Sequence, residues 1–152
     1  MLYEPGKTAF ETSPVESLFD AIKNFTEAFD RLYQELNRFE EYKWFLENIK
    51  TALYKPVYPE GNTSGPISLY EIGVMYMPNG KSDGTYTVNE EKLAIALSNR
   101  ESEIKALFAQ EDGLLCDVLK LVTELLEGEH ADDVYVEARG FLNECLRLEA
   151  MF

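Results

Sequence analysis

The clearest pattern in the chain is a stripe of apolar residues that recurs at alternating intervals of three and four residues. Charged residues such as Asp20, Lys23 and Glu27 lie between its members. This spacing is the a/d heptad pattern of a helix that packs a narrow apolar face against another helix. It predicts a helix of about 25 residues, which would span about 37 Å. The stripe, called the seam below, consists of Val15, Leu18, Ile22, Phe25, Phe29, Leu32, Leu36 and Phe39.

Local signals predict where the seam helix begins and where it ends. The stretch Ser13–Glu16 is a capping box with proline at the first helical position. Asn37 and Arg38 mark a break, and a second helical stretch is expected over about 39–54. The stretch 55–67 is rich in proline and glycine, so it predicts a loop.

The middle of the chain changes from helical to strand-like patterning. Ser68–Gly73 predicts one helical turn closed by glycine. Val74–Met77 and Thr85–Val88 have the composition of strands, and turn-forming residues lie between them. A β-hairpin is therefore expected at about 74–88. Because an isolated hairpin is only marginally stable in water, we expect it to pack against the helices.

The remaining sequence predicts helices. Asn89 is expected to cap one of them, with glutamates in its first turn. Further helices are expected over about 101–108 and 114–127, and from Ala131 or Asp132 to near the end of the chain. The pattern as a whole predicts an α+β, mostly α fold: an elongated helical bundle with a coiled-coil-like long helix and one small β-hairpin. We expect residues 1–12 to be a flexible lead-in and residues 13–152 to form a single domain.

The charge balance restricts the partners that we expect. The chain has 28 acidic and 14 basic side chains, for a formal net charge of −14. Nucleic-acid binding depends on Lys and Arg that neutralise phosphates, and anionic membranes attract basic segments. We therefore expect neither nucleic acid nor a membrane as a partner, and we expect protein partners instead.

Candidate catalytic or metal-binding groups are few. His130 is the only histidine, and without converging partners it favours an exposed loop residue. Cys116 and Cys145 lie among apolar residues at helical spacing, which favours two buried thiols and leaves a disulfide between packed helices as the alternative. The sequence has no glycine-rich phosphate loop and no recognisable nucleophile. We therefore expect no enzymatic activity, no cofactor and no bound metal.

One segment partly matches a calcium-binding loop. Asn79, Asp83, Gly84 and Glu90 fall on positions 1, 5, 6 and 12 of an EF-hand loop, but Lys81 places a cation at position 3. The flanking segment before this loop is also strand-like. A turn that leads into an N-capped helix accounts for the same residues, and it is the favoured interpretation.

Several segments, in the same order, resemble the family of the bacterial flagellar filament cap, hook-associated protein 2. Ser68–Val74 resembles that family's "sLadiGI" stretch, and Gly84–Leu97 follows its pattern G-x-L-x-[LV]-[DN]-x-x-K-L-x-x-A-L. Ile104–Phe108 and Gly113–Leu115 are similar to the "v-x-x-L-F" and glycine-led helix that come next. Upstream, Phe25–Leu32 resembles a family helix. The resemblance covers about residues 15–127.

The resemblance implies a structural role without catalysis or cofactor. Members of this family cap the growing filament, help flagellin subunits to assemble, form rings through protein contacts, and are exported without a cleaved signal. It therefore implies self-association or flagellin-type partners and a flagellar or secreted location. Typical members are several times longer and carry head domains. A short free-standing relative would instead be cytoplasmic, as an acidic adaptor or export-chaperone-like module.

The seam is the candidate interaction surface in this interpretation. Its apolar residues must be covered by other helices, and the pattern alone leaves two possibilities open. Either another helix of the same chain covers the seam, or a partner chain does.

Overall fold

The structure, a computed structural model, describes residues 14–60, 65–79, 82–128 and 131–152. Within these ranges the chain is mostly helical and has one two-stranded antiparallel sheet, as the sequence predicts. The elements are α1 (Pro14–Leu36), a 3-10 helix (Glu40–Tyr42), α2 (Lys43–Tyr54), a second 3-10 helix (Leu69–Ile72), β1 (Val74–Asn79), β2 (Ser82–Val88), α3 (Glu90–Asn99), α4 (Glu101–Ala109), α5 (Leu114–Glu127) and α6 (Ala131–Ala150).

The long helix α1 lies at the centre of the packing. Its most extensive contacts are with α6, and it also contacts β2 and α3, while α5 contacts both α6 and α2. Large apolar side chains from α1, α2, α4 and α6, namely Phe25, Phe45, Phe108 and Phe141, are fully buried in one core. Burial of each such side chain contributes about 1.5–3 kcal/mol relative to its exposure.

The break predicted at Asn37 and Arg38 is present and leaves the last seam residue, Phe39, outside α1, and the next helix begins later than predicted. The chain leaves the α conformation after Leu36, and a 3-10 turn at Glu40–Tyr42 precedes α2, which begins at Lys43. Phe39, at the N-cap of that turn, has an extended backbone with φ −122° and ψ 124°, so a continuous helix cannot start there. The predicted end at Tyr54 is confirmed.

The predicted turn before the hairpin is also confirmed. The second 3-10 helix has a reciprocal capping box between Ser68 and Glu71, and Gly73 closes it with a left-handed φ of 98°. The Gly73 carbonyl accepts a hydrogen bond of 2.7 Å from the N–H of Asn89. The Asn89 side chain in turn accepts from the N–H of Lys92 at 3.0 Å, which caps α3 as predicted. These contacts fix the hairpin against the start of α3.

The hairpin has a definite register that places aromatic residues opposite each other. Val74 pairs with Val88, Met75 with Thr87 and Tyr76 with Tyr86, with an irregularity between Met77 and Asn79. The predicted lead-in 1–12 and the cap residue Ser13 lie outside the described residues.

Candidate functional site

The structure buries most of the seam side chains in the core of this chain. Six of its members, from Leu18 to Leu36, are at most 6% exposed, and Phe39 is half-buried against the same core. α6 and the hairpin pack on α1 and cover these residues, so the first of the two possibilities raised by the pattern applies to them. The side chain of Val15 lies outside the described part of the structure.

The two cysteines differ, which corrects the prediction that both are buried. Cys145 is fully buried in the core, and that burial raises the pKa of its thiol. Cys116 is exposed, because on α5 the buried stripe runs through Leu115, Val118 and Val122 and leaves its neighbour facing solvent. Both thiols are free, so the disulfide alternative is wrong.

The calcium-loop alternative is not compatible with the local structure. Asp83 and Gly84 lie within β2, so the segment is a hairpin and not a loop between two helices. Glu90 forms an ion pair with Lys23 at 3.0 Å, and the hydrogen bond in this pair raises the pKa of Lys23. In the ranges that the structure describes, no three His, Cys, Asp or Glu side chains group as metal ligands would. His130 and Lys81 lie outside those ranges.

A groove lined by tyrosines is the most distinctive surface of the described chain. It has a volume of about 640 Å³ and opens widely to solvent between α1, α2 and the hairpin. We call it the tyrosine groove. Its lining consists of Tyr33, Lys50, Thr51, Tyr54, Tyr70, Tyr76 and Tyr86.

Five separate elements bring these residues together. Tyr33 follows the seam residue Leu32 on α1 and therefore projects beside the seam. Lys50 and Tyr54 lie one turn apart on α2, so they share a face. Tyr70 lies on the second 3-10 helix, and the hairpin register places Tyr76 on β1 opposite Tyr86 on β2.

The rings form a connected array. The centroid of Tyr86 lies 5.1 Å from that of Tyr33, 5.0 Å from that of Tyr76 and 6.3 Å from that of Tyr54. Tyr33 and Tyr76 are 6.3 Å apart at an interplanar angle of 77°. These are favourable ring separations, each contributing about 0.5–1.5 kcal/mol beyond area burial. The array therefore holds the walls of the groove in place.

Polar contacts fix the floor of the groove. The Tyr54 hydroxyl donates to the Val74 carbonyl at 3.2 Å, and the Asp30 carboxylate accepts from the N–H of Tyr86 at 2.9 Å. Burial raises the pKa of the Tyr54 hydroxyl and of the Tyr86 hydroxyl, so both stay protonated above pH 10, where an exposed tyrosine begins to lose its proton.

The exposed fraction of the tyrosine side chains increases from the base of the groove to its rim. Tyr33 and Tyr86 are buried at its base, at 3% and 6%, whereas Tyr70 at the rim is 60% exposed. Tyr76 is exposed beside it. A site with a fixed aromatic floor and accessible rings at its rim can hold an apolar or aromatic side chain of another molecule.

Two lysines extend along this aromatic surface. The ammonium of Lys50 lies 5.0 Å from the centre of the Tyr33 ring, and that of Lys92 lies 5.0 Å from the centre of the Tyr70 ring. Both distances are within the range of cation–π attraction. Lys50 therefore places a positive charge in the groove lining, and Lys92 adds another beside Tyr70 at the rim.

The sequence prediction missed this groove. The strand-like pattern predicts the hairpin but assigns no role to its tyrosines. A hairpin that pairs Val74 with Val88 also pairs Tyr76 with Tyr86, so the symmetric placement of two tyrosines about the turn was a usable signal. The approach of Tyr33 and Tyr54 has no comparable local signal.

Comparisons with known proteins identify no relative. No family model, no curated protein and no solved structure matches the chain. Among the described residues, no helix has the length and apolar character needed to cross a membrane.

Proposed function

We propose that this chain is a structural element of a protein assembly and acts through protein–protein contacts at the tyrosine groove. The observation that carries the proposal is the groove itself, in which partly exposed tyrosine rings are held over a fixed aromatic floor. Tyrosine is enriched at protein interfaces because its ring contributes large apolar area and its hydroxyl can still form hydrogen bonds.

The resemblance to the filament cap family makes this role more specific: flagellar filament capping and assistance to flagellin assembly. It is supported by a turn closed by Gly73, a hairpin, a helix capped by Asn89 and a helix that begins after Gly113, in the family's order. The proposal retains the elongated, coiled-coil-like packing that the seam predicts, and the long contact between α1 and α6 supports it. It places the chain at the flagellum or outside the cell.

The alternative is a cytoplasmic acidic adaptor or export-chaperone-like module for a flagellar or secreted partner. The net charge of −14 favours it, because an acidic surface suits transient contacts with basic or unfolded partners. Under this alternative the acidic surface outside the tyrosine groove is the contact surface.

Titration of the purified chain with flagellin monomers, in parallel with light-scattering mass measurement, tests the proposal. We expect either flagellin binding or self-association, and Tyr70→Ala should weaken it by about tenfold, a typical effect at an interface anchor. Tyr58→Ala is the matched control, because Tyr58 has a similar exposure, 66% against 60% for Tyr70, but lies outside the groove.

The outcomes separate the two functions. Binding to flagellin, or self-association, that Tyr70→Ala weakens and Tyr58→Ala does not supports the assembly role. Binding restricted to unfolded export substrates favours the adaptor instead. A chain that remains monomeric and binds neither class of protein contradicts both.

A further inference from the structure

The ammonium groups of Lys50 and Lys92 have different neighbours from those of the lysines that form ion pairs. Lys23, Lys43 and Lys55 form ion pairs with Glu90, Glu40 and Asp117, at 3.0, 3.1 and 2.7 Å. Within the described residues, by contrast, Lys50 and Lys92 contact tyrosine rings and have no carboxylate at ion-pair distance.

A tyrosine ring does not neutralise an ammonium group. The ring quadrupole attracts the cation, but the positive charge remains and can still pair with an anion. The rings also hold the Lys50 side chain in the groove and the Lys92 side chain beside Tyr70 at its rim, which lowers the entropy that a bound carboxylate would otherwise have to remove. In a chain with a net charge of −14, these two lysines place positive charge beside tyrosine rings, while the Asp30 carboxylate at the groove floor already accepts from the N–H of Tyr86.

We propose that the tyrosine groove binds an acidic segment of a partner protein. A carboxylate of the segment pairs with Lys50 or Lys92, and a neighbouring apolar or aromatic side chain packs on Tyr70 and Tyr76. The inference rests on the proposed function for the location of the contact, and it adds the chemistry of the partner.

Charge selects this occupant over others. A basic segment would be attracted to the acidic surface in general, but at the groove it would meet the ammonium of Lys50 in the lining and that of Lys92 at the rim. A purely apolar segment would leave both lysines without a counter-ion in a partly desolvated contact, which is costly. An acidic segment that carries an aromatic residue satisfies both the lysines and the rings.

Three synthetic peptides test the proposal on the intact chain: Glu-Phe-Glu-Phe-Glu, its amide counterpart Gln-Phe-Gln-Phe-Gln, and its basic counterpart Lys-Phe-Lys-Phe-Lys. Binding is followed by NMR titration, with the backbone signals of the groove residues as reporters. We expect the acidic peptide to bind at least about tenfold more tightly than the other two, and its affinity to fall with added salt because the ion pairs lie near the surface.

Charge-removing variants locate the interaction. The double variant Lys50→Gln/Lys92→Gln should weaken binding of the acidic peptide by about tenfold, the effect of losing about 1.4 kcal/mol. Lys105→Gln/Lys120→Gln is the matched control: it also removes two charges, and both lysines are exposed, on α4 and α5, outside the groove. Equal binding of the acidic and amide peptides, preference for the basic peptide, or equal losses in the control and groove variants would each overturn the inference.

The peptide result is independent of the flagellin titration. If the acidic peptide binds in the groove and flagellin does not bind, the chemistry of the site stands and the assembly role fails. If flagellin binding is insensitive to Lys50→Gln/Lys92→Gln but sensitive to Tyr70→Ala, the assembly role stands and the acidic partner is wrong. Dissociation of a self-assembled form by the acidic peptide would identify a second copy as the occupant and overturn the choice of a separate partner.

Discussion

The molecule has two aromatic regions that share α1 but differ in chemistry. One is a cluster of phenylalanines in the core. The ring centroid of Phe25 lies 5.3 Å from that of Phe141 and 5.9 Å from that of Phe108, and each side chain is at most 1% exposed. The other is the tyrosine groove, in which exposure rises from the base to Tyr70 at the rim. Rings without a polar group fill the closed region, and rings with a hydroxyl fill the open one.

The two regions are joined and not separate. The ring of Phe29 lies 5.4 Å from that of Phe141 on the core side and 4.8 Å from that of Tyr86 on the groove side. A single array therefore runs from the core to the surface. The comparison indicates that the core end provides stability, whereas the Tyr70 ring at the outer end is mostly exposed to solvent.

The largest effect is expected at the core end. Phe25→Ala removes a ring that is 1% exposed and contacts two other phenylalanines, so it should lower the free energy of unfolding by about 3–5 kcal/mol. Urea denaturation followed by circular dichroism measures the loss. Phe25→Leu, which keeps much of the volume, should cost less. A loss below about 1 kcal/mol for the alanine variant would mean that the core end is not the stabilising region.

The second effect concerns the turn that holds the hairpin wall of the groove. Gly73→Ala should cost about 1–3 kcal/mol, because φ is +98° and an added Cβ would lie 2.9 Å from the Asn89 carbonyl oxygen. The same denaturation experiment measures it. Gly140→Ala in α6 is the control: a Cβ there meets nothing within 4 Å, and stability should rise by about 0.5–1 kcal/mol. Equal effects at both glycines would contradict the strain argument.

The stability of the fold at alkaline pH is expected to depend on a buried group in each region: the Cys145 thiol in the core and the Tyr54 hydroxyl in the groove. Burial raises the pKa of Cys145 above its ordinary value of 9.0, so the folded chain holds this proton more tightly than the unfolded chain. Above pH 9 the unfolded chain loses this proton while the folded chain keeps it. The free energy of unfolding is therefore at its full value below pH 9 and falls above it by about 1.4 kcal/mol per pH unit. Burial of Tyr54 acts with the same sign above its ordinary pKa of 10.0.

Urea denaturation at several pH values between 8 and 10 tests this prediction. Cys145→Val should remove the fall in stability just above pH 9, because valine has no proton to lose. Cys116→Val is the control, since that thiol is exposed. An unchanged pH dependence in the Cys145 variant would rule out the buried thiol as its source.

The smallest effect on stability is expected at the rim. Tyr70→Ala should change the free energy of unfolding by less than about 1 kcal/mol, because its ring is 60% exposed and contributes mainly a contact with Lys92. The same variant should weaken partner binding. A large loss of stability together with a loss of binding would show that the two ends of the array do not have separate roles.

The fold was more predictable than the site because its signals are local. The seam predicted α1, Gly73 and Asn89 predicted the turn and the cap, and the break after Leu36 was expected. Each of these signals lies within a few residues of the feature that it predicts. Helical periodicity could not decide the face of Cys116, because α5 has apolar residues on more than one side.

The tyrosine groove depends on long-range contacts that no local pattern contains. The N–H of Tyr86 donates to the carboxylate of Asp30, 56 residues away in the sequence. The hydroxyl of Tyr54 donates to the carbonyl of Val74, 20 residues away. The ring contacts of Tyr33 with the hairpin depend equally on how α1 and the hairpin pack. The pairing of Tyr76 with Tyr86 could be derived from the hairpin register, but their approach to α2 could not.

The carboxylate of Asp30 has one further consequence for the hairpin. By accepting the N–H of Tyr86, it occupies a backbone donor that an unprotected sheet edge would offer to a strand of another molecule. The helix thereby closes that side of the two-stranded ribbon, so aggregation by sheet extension there would first require α1 to separate from β2.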